Sequence, residues 1–187
     1  MTCIVGLVDN KIVYLGGDSA GVAADFTRTL RRDHKVFKKA NMVFGFTTSF
    51  RMGQLLQYNL VIPRHHSNVS DFAYLCSVFS DALIKCFTEK NYAEVKDNQI
   101  VGGTFLVGYR GKLYKIYSDF QVAHSVESYN SCGSGDLQAL GALRALEPYK
   151  LSAVERIKRA LATAAHFSAA VAPPFRIVKT STMERNQ

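Results

Sequence analysis

Residues 2–6 read Thr-Cys-Ile-Val-Gly, an apolar run whose first member would carry both a hydroxyl and a free α-amine once Met1 is removed. A threonine hydroxyl is a weak nucleophile and needs a neighbouring group to take its proton. An unperturbed α-amine titrates near ~7.7–8.0, so a usable neutral fraction exists close to neutral pH. One residue can therefore supply both nucleophile and base. Removal of Met before a small residue is also ordinary trimming, so Thr2 alone does not decide the chemistry.

Three other places add to it. Gly16-Gly17-Asp18-Ser19 closes a second apolar run, Ile12–Leu15, which should pair with the first as a hairpin across Asp9-Asn10. That pairing would bring the Asp18 carboxylate close to residue 2. Lys35-Val36-Phe37 opens a short extended piece leading into Met42-Val43-Phe44-Gly45-Phe46-Thr47-Thr48-Ser49. Finally, Cys132-Gly133-Ser134-Gly135-Asp136 runs directly into an Ala/Leu-rich helix from Leu137 to about Leu146.

Each motif has a plain structural reading: Asp18 as a turn residue, Lys35 as part of a solvated basic stretch, Ser134 as a helix N-cap. In this order, behind a Thr at position 2, the set resembles the proteasome β-subunit and HslV family of N-terminal-nucleophile threonine peptidases. The resemblance spans most of the chain and is weakest over residues 55–100, which match only in being helical. It implies a four-layer αββα fold, two stacked antiparallel sheets between helix layers. It also implies that Thr2 is the nucleophile and that its amine acts as base through a water. Asp18 and Lys35 take the places beside the nucleophile, Gly45 that of the oxyanion N–H, and Ser134 that of the hydroxyl near the amine. His34, Lys38 and Lys39 lie close enough to Lys35 to compete for the basic position.

The family often places a sodium ion among backbone carbonyls after its last long helix. Here those carbonyls would belong to Ala165, Ser168 and Val171, in a stretch more apolar than usual. Where proteasome subunits carry an Asp and a Ser near the amine, this chain has Ser168 and Val171.

The 187 residues suit one α+β domain over 1–187, with Met1 removed and a flexible tail from about residue 180. Strands are expected at 3–8, 11–17, 35–38, 42–47, 103–109 and 112–118, the last two joined by an Arg110-Gly111 turn. Further extended chain is expected at 120–124, 128–132 and 175–179. Helices are expected at 50–60, at 70–89 capped by Ser70, after the Gly-Ser-Gly motif, and from Ser152 to about 170 with Glu155 completing a capping box. Residues 63–66 read as a loop. Grouped helices between blocks of hairpins suit two stacked antiparallel sheets between helix layers; without the resemblance the pattern reaches only α+β with hairpins.

Cys3, Cys76, Cys86 and Cys132 lack metal spacing and read as buried free thiols. The net charge of +8, concentrated in Arg28, Arg31, Arg32, Lys35, Lys38 and Lys39, lacks the aromatic interleaving of an RNA-binding surface. No run is apolar enough to cross a bilayer, and no leader pattern opens the chain. The expectations are therefore a cytoplasmic protein with no nucleic-acid or membrane partner.

The resemblance further implies a homo-oligomeric ring, stacked as a double ring, fed with unfolded polypeptides by an ATP-dependent unfoldase of the HslU type. Hydrolysis itself would need no cofactor. ATP would bind only the partner, since no phosphate-binding Gly-x-x-x-x-Gly-Lys-Ser/Thr loop is present. Two alternatives stand beside this: an amidohydrolase acting on a small amide by the same chemistry, and a ring scaffold whose catalysis has lapsed.

Overall fold

The computed structural model describes residues 1–96 and 99–181. In chain order the strands begin with β1 (Cys3–Asp9), β2 (Ile12–Gly17), β3 (Ala20–Val22), β4 (Arg28–Leu30), β5 (Val36–Lys39) and β6 (Met42–Phe46). Helix α1 (Phe50–Gln54) runs on into a π-helical turn, Leu55–Asn59. After a loop come α2 (Asp71–Tyr74), a second π turn (Leu75–Phe79) and α3 (Ser80–Glu89). The remainder is β7 (Glu94–Lys96), β8 (Gln99–Val101), β9 (Phe105–Tyr109), β10 (Lys112–Ile116), β11 (Val122–His124), β12 (Tyr129–Gly133), α4 (Asp136–Ala145), α5 (Ala153–Phe167) and β13 (Arg176–Lys179).

Two antiparallel sheets, ordered β12-β1-β2-β13 and β11-β10-β9-β6-β5, stack face to face. Strand side chains alternate between faces, and β1 shows why both of its faces are apolar. Cys3, Val5 and Leu7 pack on Ala139 and Leu143 of α4 and on Ile157, Leu161 and Ala164 of α5. Ile4, between them in sequence, joins Val13, Leu15, Val36, Val43, Leu106 and Leu113 between the sheets. The outer face of the second sheet, with Phe44, Phe105, Val107 and Tyr114, is covered by α1–α3 through Met52, Leu55, Leu75, Phe79 and Leu83. The layers are helix, sheet, sheet, helix, as expected.

Local signals explain the ends of these elements. Ser152 accepts from the Glu155 N–H while the Glu155 carboxylate accepts from the Ser152 N–H, a complete capping box. Ser70 caps α2 by accepting from the Ala73 N–H. Arg110-Gly111 turns β9 into β10 with both residues at positive φ.

Two boundaries and the burial of one residue differ from expectation. The β1–β2 turn centres on Asn10-Lys11, both at positive φ, one residue later than Asp9-Asn10, because Asp9 pairs with Ile12. Helix α5 stops at Phe167, where Ser168 turns extended, short of residue 170. Cys76 is exposed although the other three thiols are buried: its π turn points Leu75 and Phe79 inward and leaves Cys76 outside. The two-stranded ribbons β3–β4 and β7–β8 were not anticipated. Thr180 is tied to β2, donating its N–H to the Val13 carbonyl and accepting the Val13 N–H on its Oγ1. The expected tail beyond it, residues 182–187, lies outside the described residues.

Candidate active site

Thr2 sits at the head of β1, beside the last residue of β12. Its backbone N donates to Ser134 Oγ at 3.1 Å, and Ser134 Oγ–H donates to the Thr2 carbonyl at 3.2 Å. The same carbonyl also accepts from the Gly135 N–H. This close approach depends on Gly133, at φ +105°, where a Cβ would stand 2.2 Å from the Thr2 carbonyl oxygen. Ser134 thus acts on Thr2, and the α4 N-cap is Gly135, which makes no side-chain cap bond. The Thr2 hydroxyl donates to the Met1 carbonyl, so the hydroxyl lies against the peptide bond that precedes it.

Asp18 follows the last residue of β2, and Lys35 immediately precedes β5. Their side chains are 0% and 1% exposed, with Lys35 Nζ 2.9 Å from Asp18 Oδ1. Oδ1 also accepts from the Cys3 N–H at 3.0 Å, and Oδ2 accepts from the Ala20 N–H at 2.9 Å and the Ala172 N–H at 3.4 Å. One carboxylate therefore ties the start of β1, β3, the loop after α5 and Lys35 into a single node. Burial pushes the Lys35 pKa below its ordinary value, against the opposing pull of Asp18. Removing one partner would strand a buried charge, at a cost of about 3–5 kcal/mol.

Among the basic neighbours, geometry brings only Lys35 to Asp18. Lys39 Nζ donates to the carbonyls of Leu56 and Gln57 at the end of the first π turn, while Lys38 and His34 are exposed. The rest of the basic cluster is also accounted for locally, since Arg31 grips Asp33 with two bonds and lies 3.8 Å over the Phe50 ring.

Gly45 lies apart from the expected oxyanion position. Directly opposite residues of antiparallel strands alternate between exchanging hydrogen bonds and not. Thr47 donates to the carbonyl of Thr104 across β6 and β9, so Gly45, two residues back and opposite Leu106, turns its N–H into the same ladder. Its missing Cβ faces the space between the sheets, where an added carbon would stand 2.5 Å from Ile4 Cγ2. Gly45 is required for sheet packing.

Thr48, three residues on, lines the same cleft as Thr2. A cleft of about 50 Å³ beside Thr2 is lined by Val22, Phe46, Thr47, Thr48, Ser49 and Phe50. The Thr48 N–H donates no hydrogen bond among the described residues, and Thr48 holds φ +61°, uncommon for a β-branched residue. Its Oγ1 accepts the Thr104 N–H at 3.3 Å and meets Thr47 Oγ1 at 3.3 Å, while Thr47 Oγ1 donates to the Thr104 carbonyl at 2.7 Å. Three threonines pin this loop. The sequence carried no signal for it beyond the Thr-Thr pair itself. A second cleft of about 220 Å³, lined by Gly21, Ala23, Thr29 and Arg31, shares Val22 and Phe50 with the first, so the two adjoin.

Ala165 lies in the last turn of α5, Ser168 caps it, and Val171 is buried against the helix layer. The Ser168 carbonyl accepts from the Val171 N–H at 3.1 Å and keeps one lone pair. Among the described residues no three His, Cys, Asp or Glu side chains group as metal ligands. His65 is a core residue, stacked on Tyr74 and bonded to the Tyr109 hydroxyl and the Val69 carbonyl. No helix among the described residues is long and apolar enough to cross a membrane.

No protein-family model matches the chain, and no curated protein matches it. Solved structures do. BPH from Thiobacillus denitrificans superposes with a TM-score of 0.80 at 15% identity, over 96% of this chain and 97% of that one. The same protein in complex with epoxomicin gives 0.75 at 16% identity, over 96% and 98%. Eukaryotic HslV from Trypanosoma brucei gives 0.66 at 16% identity, over 95% and 98%. Anbu, an ancestral β-subunit from Yersinia bercovieri, gives 0.66 at 13% identity, over 96% and 81%. The chain has the proteasome-like N-terminal-nucleophile hydrolase fold, as its sequence led one to expect.

Proposed function

We propose that this chain is a threonine peptidase subunit that hydrolyses peptide bonds of unfolded polypeptides, with Thr2 as nucleophile after cleavage of the Met1–Thr2 bond. The observation that carries this reading is the buried Lys35–Asp18 pair beside a Thr2 whose nitrogen rests on Ser134. Cleavage would turn that nitrogen from an amide into an amine held by the same hydroxyl.

In the reaction, the Thr2 amine takes the Oγ proton through a water while Oγ bonds to the substrate carbonyl carbon. The carbonyl electron pair moves to oxygen, where the Thr48 N–H stabilises it. Collapse breaks the C–N bond, and the departing amine takes the proton held by the Thr2 amine. Water then attacks the resulting ester, giving its proton to the amine, and the Oγ recovers a proton as the acid leaves. Lys35 remains charged throughout. It favours negative charge building on Oγ and keeps the amine from holding a proton too tightly.

The two clefts share Val22 and Phe50 in their walls, so concave surface extends from Thr2 past these residues to Gly21 and Thr29. This favours a polypeptide over a small amide. A stacked double ring of copies and an ATP-dependent unfoldase of the HslU type complete the proposal, the first to enclose the site and the second to feed it. The carbonyls of Ala165, Ser168 and Val171 offer neutral oxygen donors, which suit a hard monovalent cation such as sodium. Such an ion would brace the loop that delivers the Ala172 N–H to Asp18.

The test is covalent labelling. A structural neighbour is solved in complex with epoxomicin, which makes that compound the natural probe. Purified protein incubated with it should gain one equivalent of its mass on the peptide beginning at Thr2, and Thr2→Ala protein should gain none. Assembly into rings with no labelling and no peptide hydrolysis would instead establish the lapsed scaffold.

A further inference from the structure

The ribbon β7–β8 is amphipathic and has no partner for its apolar face among the described residues. Val95 and Ile100 are cross-strand neighbours on one face, 72% and 38% exposed. The other face carries Glu94 and Lys96, 3.5 Å apart, with Gln99 and the half-buried Val101. A two-stranded ribbon is marginal in water, and each of its strands leaves one edge of N–H and C=O groups unpaired.

Both roots of this ribbon adjoin residues that line the Thr2 cleft. On one side, Tyr92 packs edge-on to Phe87 at 5.1 Å between ring centres. Burial pushes its phenol up in pKa while the neighbouring Ser49, a cleft residue, pulls the other way. On the other side, an added Cβ at Gly103 would stand 3.0 Å from Thr48, and Thr104 bonds Thr48 directly. Ile100 is four residues from Thr104, at most ~14 Å of chain.

We propose that the β7–β8 ribbon is a capture arm for extended, unfolded polypeptide, which adds along a free edge of the ribbon and lays apolar side chains on Val95 and Ile100. This rests on the peptidase reading and adds a second contact for the same substrate. Edge addition supplies backbone hydrogen bonds that any sequence can make, and the Val95–Ile100 face adds a preference for alternating apolar residues. Folded proteins, with no free extended segment, gain nothing from it.

Binding is measured on Thr2→Ala protein, so that no chemistry is needed. The probe is fluorescein-labelled α-lactalbumin, reduced and carboxymethylated so that it stays unfolded. The substitutions Val95→Ser and Ile100→Ser together should raise the dissociation constant about tenfold. In protein that keeps Thr2, the same pair should leave hydrolysis of a three-residue fluorogenic peptide within twofold of unsubstituted protein. Should the pair lower thermal stability, Val95→Thr, which keeps the β-branch and removes apolar surface, decides by the same binding measurement.

An unchanged dissociation constant overturns the proposal. So does a fall in solution mass, which would make this face a contact between copies, and so does an equal loss on the short peptide. Failure of the peptidase reading shows separately, as unsubstituted protein that binds the probe yet hydrolyses neither substrate.

Discussion

Ser134 Oγ touches Thr2 on both sides of its α-carbon, 3.1 Å from the nitrogen and 3.2 Å from the carbonyl oxygen. One hydroxyl can do both only by accepting from the first and donating to the second. It therefore presents a lone pair to the nitrogen that serves as the base in the proposed mechanism. An amine held this way directs its own lone pair elsewhere, toward the hydroxyl that it must deprotonate.

Ser134→Ala should therefore lower kcat by about ten- to a hundredfold, less than the roughly 10²–10⁴-fold that a complete general base contributes, because the base is misaimed and still present. KM should move little, since substrate binding does not involve the hydroxyl. Steady-state kinetics on a short fluorogenic peptide give the split. A change confined to KM would show that Ser134 contacts substrate.

The mature chain should begin at Thr2. While Met1 remains, the Thr2 nitrogen is an amide with no basic lone pair, and the Thr2 hydroxyl is occupied by the Met1 carbonyl. Intact mass of active protein should lack the methionine residue. Active protein that retains Met1 would remove the proposed base from the mechanism.

Lys35 fixes the alkaline side of the pH profile. Activity should rise with pH as the Thr2 amine loses its proton, since only the neutral amine is a base. It should then fall as Lys35 itself deprotonates and leaves Asp18 unpaired. Burial lowers the Lys35 pKa from 10.5, so the falling limb should lie below pH 10.5. Lys35→Ala should reduce turnover by three orders of magnitude or more. Lys35→Arg should abolish the falling limb in whatever activity survives, because a guanidinium keeps its charge there. A falling limb unchanged in Lys35→Arg would assign that limb to another group.

Much of this site was written along the chain, because Asp18, Lys35 and Ser134 each sit at the end of an element whose own signals are strong. Apolar runs define β1 and β2, Lys-Val-Phe opens β5, and a Gly-flanked Ser precedes a helix. The proposed oxyanion donor, Thr48, was not legible. Gly45 looked right by residue type, yet strand parity turns its N–H into a ladder and its α-carbon into the inter-sheet core. Thr48 qualifies through a backbone sign and a three-threonine network, neither of which has a pattern in sequence. The ribbons β3–β4 and β7–β8 escaped for a different reason. Strands of three residues are too short to show alternation, and Arg28–Leu30 and Glu94–Lys96 are exposed throughout. Cys76 was misplaced because a π turn shifts which residues face inward.

Thr48 and Gly45 can be separated experimentally. Thr48→Gly keeps the N–H and relieves a backbone conformation that costs a β-branched residue about 1–3 kcal/mol. Part of that gain is lost with the bond to the Thr104 N–H. The melting temperature should rise by roughly 2–4 °C, with kcat within a few-fold of unsubstituted protein. Thr48→Val keeps the strain and loses the bond, so both stability and kcat should fall. Gly45→Ala forces a carbon against Ile4 and should cost about 1–3 kcal/mol of stability by overpacking. An untouched kcat in Thr48→Val would show that the three-threonine network does not position the proposed oxyanion donor.

Assembly is the last expectation, and apolar exposure argues for it. Leu137, 76% exposed, stands on the first turn of α4, with Phe167 at the end of the neighbouring α5 also exposed. On the opposite helix layer Tyr58 and Val61 are exposed at the end of the first π turn. Monomers seldom expose contiguous apolar patches beyond a few hundred Å². Two unlike apolar surfaces on opposite layers suit head-to-tail contacts, which close into rings. A ring also answers a chemical need, since a peptidase that accepts any extended chain must be kept from folded neighbours. Light scattering on dilute protein should give a mass many times that of one chain, unchanged in Thr2→Ala. Leu137→Glu should shrink the particle without unfolding the subunit, because an exposed side chain supports no core. A stable monomer with full peptidase activity would overturn the chambered reading and favour the small-amide hydrolase.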